Sequence, residues 1–271
     1  DRFSSKNLLQ IISKYQVATF CAPPTVYRML FEEDFTKYNL SSLECCSIAG
    51  EAYDRRLFEE FHKRTGLLLK EAYGQTETTV VLGNFPWMET KPCSMGKPAP
   101  GYCVELLNDK GTPCKTGEKG EVVIRVDNNK LPIGLFGGYH CDPEYTASMW
   151  HDGFYHTGDI AWKDSEGYYR FVGRADNMIK SSGYRIGPFE VESVLLQHPA
   201  VRECVVTGVP DIDRGQAVKA TIVLNDKYEP SKQLIKELQD YVKIITAPYK
   251  YPRFIEFTDK ISRTSNGKIK H

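Results

Sequence analysis

Long apolar runs, an excess of one charge and a cysteine framework are all missing from this sequence. No stretch of about 18 consecutive apolar residues occurs, so the sequence predicts no membrane-spanning helix. Its 35 basic residues balance 35 acidic ones, which argues against a surface for nucleic acids or anionic membranes. The eight cysteines include no Cys-x-x-Cys spacing, so we expect free thiols and a reducing, cytoplasmic location.

The first residues follow a helical pattern almost at once. The chain opens at Asp1, and Leu8, Ile12 and Tyr15 recur at helical spacing after a serine suited to an N-cap. A domain seldom starts so close to its first helix. We therefore expect residues 1–271 to be the C-terminal part of a longer protein.

Strands and helices alternate in the first part of the chain. Strands are predicted at 17–21, 45–50 and 67–74, with helices beginning at Pro23-Pro24 and Asp54. Such alternation predicts a parallel sheet, and parallel sheets bind ligands beyond the carboxyl ends of their strands. The segments 49–51 and 73–77 fall at those ends.

The pattern changes twice further along the chain. Short strands with glycine turns at DKG and SEG predict a small β-barrel or sandwich, and mixed helices and strands follow it. The predicted fold class is α/β. We expect a partial α/β sheet subdomain over 1–99, a β-barrel subdomain over 100–175, and an α+β domain over 176–271, which the family resemblance described below implies to be mobile.

The first motif with chemical potential is YGQTE, residues 73–77. A glycine at a strand end lets backbone approach a ligand, and an aromatic neighbour can stack on a base. The threonine can contact a phosphate, and the carboxylate can hold Mg²⁺. Alternatively, the same residues are a strand end with a solvated glutamate.

The second motif is HTGD, residues 156–159, which follows a predicted hairpin strand. Asp159 comes after a glycine turn and can accept hydrogen bonds from both hydroxyls of a ribose. In isolation, this pattern is also typical of a β-turn in which the aspartate is bonded locally.

Two basic segments follow. The run 171–192 carries Arg174 and Arg185, permanent cations that can bind ribose or phosphate oxygens. It can also be read as an inter-domain linker. Near the C-terminus, Lys268 lies on a Ser/Asn/Gly turn as a mobile point charge, or as an ordinary solvated lysine.

All four motifs, in this order, resemble the adenylate-forming superfamily of acyl-CoA synthetases, peptide-synthetase adenylation domains and luciferases. The resemblance covers essentially the whole chain. The segments SSGYRIGPFEVE (181–192) and TAPYKYPR (246–253) are most similar to medium-chain acyl-CoA synthetases, within the acetyl-CoA synthetase-like enzymes.

The resemblance implies an AMP-forming ligase of fatty acid metabolism. Its substrates would be a small carboxylic acid, ATP and coenzyme A, with Mg²⁺ as cofactor and acyl-adenylate as intermediate. Two alternatives stay open: an adenylation domain that loads a carrier protein, and a non-catalytic nucleotide-binding module.

Particular residues take roles only through this resemblance. Nucleotide contacts are implied for Gly50, Glu51, Ala52, Glu71, Ala72, Tyr73, Gly74, Gln75, Thr76, Asp159, Arg174, Arg185 and Lys268. Coenzyme A contacts are implied for Ser182, Gly183, Tyr184, Arg214, Lys243, Tyr251, Pro252 and Arg253. Lys268, Glu77 and Thr76 would be catalytic, with Glu77 binding Mg²⁺. Asp176 would be the hinge of the C-terminal domain.

Several positions depart from the family pattern. Ser262 and Asn266 differ from the residues frequent in the family's Pro-Arg-Thr-x-x-Gly-Lys ending. A Ser/Thr/Gly-rich phosphate loop ending in lysine does not occur in residues 1–271, so we expect this chain alone to be inactive. Gly74 stands where acetyl-CoA synthetases carry a tryptophan that closes the acyl pocket. The sequence therefore predicts acids larger than acetate.

Overall fold

The computed structural model of the protein describes residues 3–126 and 131–262. Its helices are α1 (Ser5–Tyr15), α2 (Pro24–Leu30), α3 (Arg55–Thr65), α4 (Pro143–Met149), α5 (Pro188–Leu195) and α6 (Lys232–Ile245), with 3₁₀ turns at Phe35–Lys37 and Pro248–Lys250. Its strands are β1 (Thr19–Ala22), β2 (Cys45–Ala49), β3 (Leu69–Gln75), β4 (Thr79–Gly83), β5 (Lys97–Pro98), β6 (Val104–Leu107), β7 (Lys119–Arg125), β8 (Trp150–His151), β9 (Phe154–Lys163), β10 (Tyr169–Arg174), β11 (Ile179–Ser181), β12 (Tyr184–Ile186), β13 (Val201–Asp211), β14 (Gly215–Leu224) and β15 (Phe254–Phe257).

The chain divides into two compact units. One contains Asp1–Tyr53 and Leu57–Phe171, and the other contains Asp54–Arg56 and Val172–His271. No helix in the described part of the chain is long and apolar enough to cross a membrane. The three-part division at residues 100 and 176 stays a prediction.

The first sheet has the strand order β1-β2-β3-β4-β5. Strands β1, β2 and β3 are parallel, as the alternation predicts, and β4 and β5 run antiparallel. The buried ring of Tyr27 on α2 packs edge-on against Phe20 and Phe61, with centroids 5.3 Å away in each case. Aromatic contacts of this kind add to the hydrophobic stabilisation of the core.

Local signals explain where the helices begin. Pro24 occupies the first turn of α2, where a missing N–H costs nothing. Ser231 caps α6, and its side chain accepts a hydrogen bond from the backbone N–H of Leu234 at 3.1 Å. Both features hold the helices at the positions that the sequence predicts.

The second sheet has the order β10-β9-β7-β6, with β8 beside β9. Strands β7 and β9 are antiparallel, but their register shifts: Glu121 lies opposite Ile160, whereas Val123 lies opposite His156. The residues of β9 between these two pairs, which include most of the HTGD motif, therefore form a β-bulge.

The second unit contains the sheet β12-β11-β14-β13, with β15 parallel to β14. Its core includes Val191 of α5 and Leu238 of α6, both fully buried against residues of β13 and β14. These helices and strands form a mixed α and β unit. The predicted fold class is confirmed, with α/β, antiparallel β and α+β parts in that order.

Candidate functional site

The predicted adenine-lining segments meet at one edge of the first sheet. Residues 50–52 follow β2 and residues 73–77 lie at the end of β3, and Ala49 pairs with Ala72 in the parallel ladder. Gly50 has a φ of +87°, a conformation that glycine adopts readily. The hydroxyl of Thr25, at the start of α2, donates a hydrogen bond to the Glu51 carboxylate at 2.9 Å. Sequence reasoning missed Thr25, although it follows β1 at the same edge.

Asp159 joins the YGQTE and HTGD motifs. Its side chain is buried, and Oδ2 accepts hydrogen bonds from the Tyr73 hydroxyl and the Gln75 amide, both at 2.7 Å. The same amide donates to the carbonyl of Thr157 at 2.8 Å. Two motifs that are distant in sequence are therefore one hydrogen-bonded site.

Glu77 is fixed by a segment that sequence reasoning missed. Its Oε1 accepts a hydrogen bond from the Tyr139 hydroxyl at 2.8 Å, and its carbonyl accepts one from the Phe136 N–H, also at 2.8 Å. Burial, followed by the hydrogen bond to Glu77, raises the pKa of Tyr139 to about 12. Tyr139 is therefore a protonated donor at neutral pH. No motif in the sequence identified it.

The Glu77 carboxylate is the kind of oxygen ligand that Mg²⁺ takes together with phosphate oxygens. No cluster of three His, Cys, Asp or Glu side chains that could hold a metal occurs in residues 3–126 and 131–262. Mg²⁺ commonly takes only one or two protein carboxylates and completes its shell with water and phosphate oxygens. Glu77 supplies such a carboxylate, and Thr76 beside it is exposed.

Glu71 has its side chain in the protein interior. The residue is only 8% exposed, and burial raises the pKa of its carboxyl to about 8, an effect that nearby Arg170 partly offsets. Its carbonyl accepts hydrogen bonds from the backbone and side chain of Asn84 at 3.0 and 3.3 Å. The predicted adenine contact of Glu71 stays a prediction, and with the carboxyl buried the backbone of Glu71 is the part available for it.

The Glu71 carboxyl predicts a fall in stability as pH rises. Between the unfolded value and about 8, the folded protein keeps a proton that the unfolded chain has lost. The free energy of unfolding should therefore decrease by up to about 1.4 kcal/mol per pH unit in this window. Glu71→Gln should flatten that slope. Urea unfolding at pH 5 to 8 measures it, with exposed Glu44→Gln as control. Identical slopes in wild type and Glu71→Gln would contradict the assignment.

Gly74 lies at a crowded point of the backbone. The register between β3 and β4 shifts between Tyr73 and Gly74. A Cβ atom at position 74 would lie 1.6 Å from the carbonyl oxygen of Thr79 and 2.7 Å from its carbonyl carbon. Any side chain, the tryptophan of acetyl-CoA synthetases included, requires this backbone to move. The acyl-pocket role of Gly74 stays a prediction.

The predicted coenzyme A residues lie together in the second unit. Ser182 and Gly183 form the turn between β11 and β12, and the Ser182 N–H donates to the Arg214 carbonyl at 3.0 Å. The ring of Tyr184 stacks on Tyr249, with centroids 4.0 Å apart and planes 12° apart. Tyr249 was missed by sequence reasoning.

A second group of predicted coenzyme A residues surrounds Tyr251. The ammonium of Lys243 lies 4.3 Å from the ring centroid and the guanidinium of Arg253 lies 4.9 Å from it. Arg253 also donates to the Tyr251 hydroxyl at 2.7 Å, and Pro252 between them is buried. Cations beside aromatic rings suit a ligand that combines phosphates with a base.

The predicted hinge residue lies in a turn, and one of the predicted nucleotide-contacting arginines lies on an exposed strand. Asp176 is in the turn after β10, with its side chain 68% exposed and 3.4 Å from Arg174 Nε. Arg185 is an exposed residue of β12, opposite Lys180. Lys268 lies outside the described residues.

Two family profiles match the chain. A profile described as "AMP-binding enzyme" matches residues 1–140, and one described as "AMP-binding enzyme C-terminal domain" matches residues 190–268. Among curated proteins, "Acyl-coenzyme A synthetase ACSM3, mitochondrial" of Rattus norvegicus is 48% identical over 99% of this chain and 47% of its own length. "4-hydroxybutyrate--CoA ligase 1" of Metallosphaera sedula is 44% identical, over 99% and 47%. The chain thus spans about half the length of these relatives.

Solved structures show the same likeness. The anthranilate CoA ligase AuaEII in complex with anthranoyl-AMP matches with a TM-score of 0.87 and 36% identity, over 98% of this chain and 50% of that chain. A benzoate CoA ligase from Burkholderia xenovorans matches with a TM-score of 0.85 and 30% identity, over 99% and 53%. Both are named as enzymes that join an acid to coenzyme A.

The predicted cytoplasmic location is wrong on this comparison. The ACSM3 relatives from Rattus norvegicus and Homo sapiens, each 48% identical to this chain, are named mitochondrial proteins. The expectation rested on cysteine spacing. Spacing without a disulfide framework indicates only a reducing environment, and it does not distinguish one reducing compartment from another.

Proposed function

The chain belongs to the AMP-binding enzyme family, and from that premise we propose that the protein containing it is an ATP-dependent acyl-CoA synthetase. A carboxylate would attack the α-phosphorus of ATP, giving acyl-adenylate and pyrophosphate. The thiol of coenzyme A would then attack the acyl carbonyl and release AMP. The single observation that carries this proposal is the hydrogen-bonded union of YGQTE and HTGD through Asp159.

In the first unit, the Asp159 carboxylate would bind the ribose hydroxyls. The backbone at 50–52 and 71–74 would line the adenine, and Thr76 would contact the α-phosphate. Glu77 would hold Mg²⁺, which when bound reduces the charge repulsion between ATP and the incoming carboxylate. Tyr139 would keep the Glu77 carboxylate oriented through its 2.8 Å hydrogen bond.

In the second unit, we propose Asp176 as the hinge between the two half-reactions. Lys268 would serve adenylation, and the turn at Ser182 and Gly183 would serve thioester formation. Arg174 and Arg185 would contact the nucleotide. The stack of Tyr184 on Tyr249 and the cations at Tyr251 support an acceptor that carries a base and phosphates. That chemistry favours coenzyme A over a carrier protein.

The proposed acid is larger than acetate. The relatives described above are named for 4-hydroxybutyrate, anthranilate and benzoate, and each of these acids has more carbon atoms than acetate. Each additional buried methylene of a substrate contributes about 0.8 kcal/mol, so a site with room for several carbons discriminates against acetate.

The test of the function measures both half-reactions in the full-length protein. We expect ATP–pyrophosphate exchange and acyl-CoA formation with acids longer than acetate. Exchange followed by transfer to a carrier protein, without acyl-CoA, would support the carrier-loading alternative. AMP binding without any exchange would support a non-catalytic module. The 271-residue chain alone should release no pyrophosphate, since its sequence contains no Ser/Thr/Gly-rich loop ending in lysine.

Asp159→Ala should weaken AMP binding by about 1.5–3 kcal/mol, the range for a hydrogen bond to a charged group. The substitution also leaves the Tyr73 hydroxyl and the Gln75 amide without this acceptor. Tyr73→Phe, which removes one donor and keeps the carboxylate, should cost less. Calorimetric titration of AMP into the full-length variants measures both. An Asp159→Ala variant with wild-type affinity would refute the ribose assignment.

A further inference from the structure

The bulge that contains HTGD needs partners for its backbone. Between the pairs Glu121–Ile160 and Val123–His156, β7 supplies only Val122, whereas β9 supplies residues 157–159. Three residues opposite one cannot all pair in the ladder. Because unpaired polar groups are costly in a buried position, other groups of the protein must bind these backbone atoms.

The Glu121 carboxylate is one of the groups that bind the backbone of the bulge, and its second oxygen contacts a histidine. Its Oε1 accepts a hydrogen bond from the Gly158 N–H at 2.9 Å. Its Oε2 lies 3.0 Å from Nδ1 of His156. The Glu121 carboxylate therefore contacts both Gly158 and His156, which precede Asp159 in the chain.

Thr157 completes the internal bonding of the bulge. Its hydroxyl donates to the Val122 carbonyl at 2.7 Å and accepts from the Asp159 N–H at 3.1 Å. Threonine and glutamate therefore bind different parts of the bulge. The Thr157 hydroxyl holds the backbone at Asp159, and the Glu121 carboxylate holds the backbone at Gly158.

Neighbouring groups restrict the movement of the Glu121 carboxylate. The His156 ring stacks on His151, with centroids 3.7 Å apart and planes 13° apart. The stack limits how far the His156 ring can tilt, and in the structure its Nδ1 faces Glu121. Gly158 has a φ of +69°, a left-handed conformation that sets the direction in which the next residue, Asp159, leaves the bulge. A shift of Gly158 would change where the Asp159 carboxylate lies.

We propose that Glu121 is a positioning residue, which holds the bulge so that Asp159 is directed at the ribose of the nucleotide. The inference rests on the proposed function, because it takes Asp159 as the ribose ligand. Glu121 acts through the Gly158 backbone, and its own carboxylate needs no contact with the nucleotide.

A purely structural role for Glu121 and a positioning role predict different measurements. Loss of stability alone lowers the fraction of folded protein and leaves the ligand preference of the folded protein unchanged. Loss of positioning reduces the preference for AMP over 2′,3′-dideoxy-AMP, because that preference depends on the Asp159 carboxylate reaching the ribose hydroxyls.

The experiment is calorimetry of AMP and 2′,3′-dideoxy-AMP on the full-length protein. We expect wild type to prefer AMP by about tenfold or more, and Glu121→Ala to lose most of this preference. Glu121→Gln retains an acceptor for the Gly158 N–H, so it should keep more of the preference for AMP than Glu121→Ala does. Glu105→Ala is the matched control, since Glu105 is paired with Arg125 on the neighbouring strand and does not contact the bulge.

A double variant tests whether the two residues act together. If Glu121 works through Asp159, the Glu121→Ala/Asp159→Ala protein should show the same preference as Asp159→Ala alone. Asp159→Ala with an unchanged preference would refute the ribose site itself, and with it this part of the proposed function. A different outcome would overturn only the positioning role: Asp159→Ala loses the preference for AMP over 2′,3′-dideoxy-AMP, but Glu121→Ala keeps all of it.

A second variant covers the case in which Glu121→Ala does not fold. His156→Phe keeps the ring stack near His151 but removes the Nδ1 partner of the Glu121 carboxylate. The expected result is a partial loss of the AMP preference. If Glu121→Ala does not fold, a folded His156→Phe protein with an unchanged preference for AMP over 2′,3′-dideoxy-AMP would overturn the proposal.

Discussion

Replacing Lys268 with alanine in the full-length protein should lower acyl-adenylate formation by orders of magnitude. Conversion of supplied acyl-adenylate to acyl-CoA should be largely unchanged. Carboxylate and ATP are both anions, so their approach depends on positive charge placed where the transition state develops charge. Removing one such group typically costs about 10²–10³ in rate. Lys268 lies outside the described residues, and the prediction rests on the RTSNGK sequence and the family resemblance.

Two assays separate the half-reactions of this variant. ATP–pyrophosphate exchange reports adenylation, and release of AMP from supplied acyl-adenylate and coenzyme A reports thioester formation. Lys260→Ala is a suitable control, because Lys260 is an exposed lysine in the same C-terminal segment. Equal losses in the two assays for Lys268→Ala would argue against separate arrangements of the enzyme for the two steps, and against Asp176 as their hinge.

Local features of the fold could be predicted from sequence because their causes are local. Ser231 caps α6, and Pro24 starts α2, through contacts with residues at most a few positions away. The alternation of strands and helices predicts the parallel part of the first sheet for the same reason: each βαβ crossover is set by residues adjacent in the chain.

The bonding of the site could be predicted only in part. The order of the motifs indicated that YGQTE and HTGD belong together, but not that Tyr73 and Gln75 share one oxygen of Asp159. The partner of Glu77 is Tyr139, 62 residues away along the chain. Such contacts depend on which loops meet in three dimensions, and no periodicity in the sequence reports that.

The burial of the Glu71 carboxyl follows from the strand pattern around it. Side chains in a strand alternate between two faces, so Glu71 shares its face with Leu69. Leu69 is fully buried in the hydrophobic core of the first sheet. Alternation alone therefore places the Glu71 carboxyl in the interior, and the structure shows it buried there.

Alanine at position 74 should disrupt the YGQTE turn and abolish AMP binding together with a loss of stability. The added Cβ would lie 1.6 Å from the Thr79 carbonyl oxygen. Backbone cannot rotate away as a flexible side chain can, so β3 or β4 must shift. Overpacking costs about 1–3 kcal/mol and sometimes more, and a clash between backbone atoms belongs at the upper end. The shift would also displace Gln75 and Glu77, which follow directly in the chain.

Gly137→Ala is the matched control for this variant. A Cβ at Gly137 meets no atom within 4 Å, and the residue lies near Tyr139 in the same unit. Urea unfolding and AMP calorimetry of both full-length variants should show a near-wild-type Gly137→Ala and a destabilised, non-binding Gly74→Ala.

A Gly74→Ala protein with normal stability and affinity would mean that the turn can move. Side chains at position 74 could then project toward the acid, and Gly74→Trp would become a valid test of acyl-chain length. If the clash holds, chain-length preference must instead be measured on the wild-type enzyme, with acetate through octanoate.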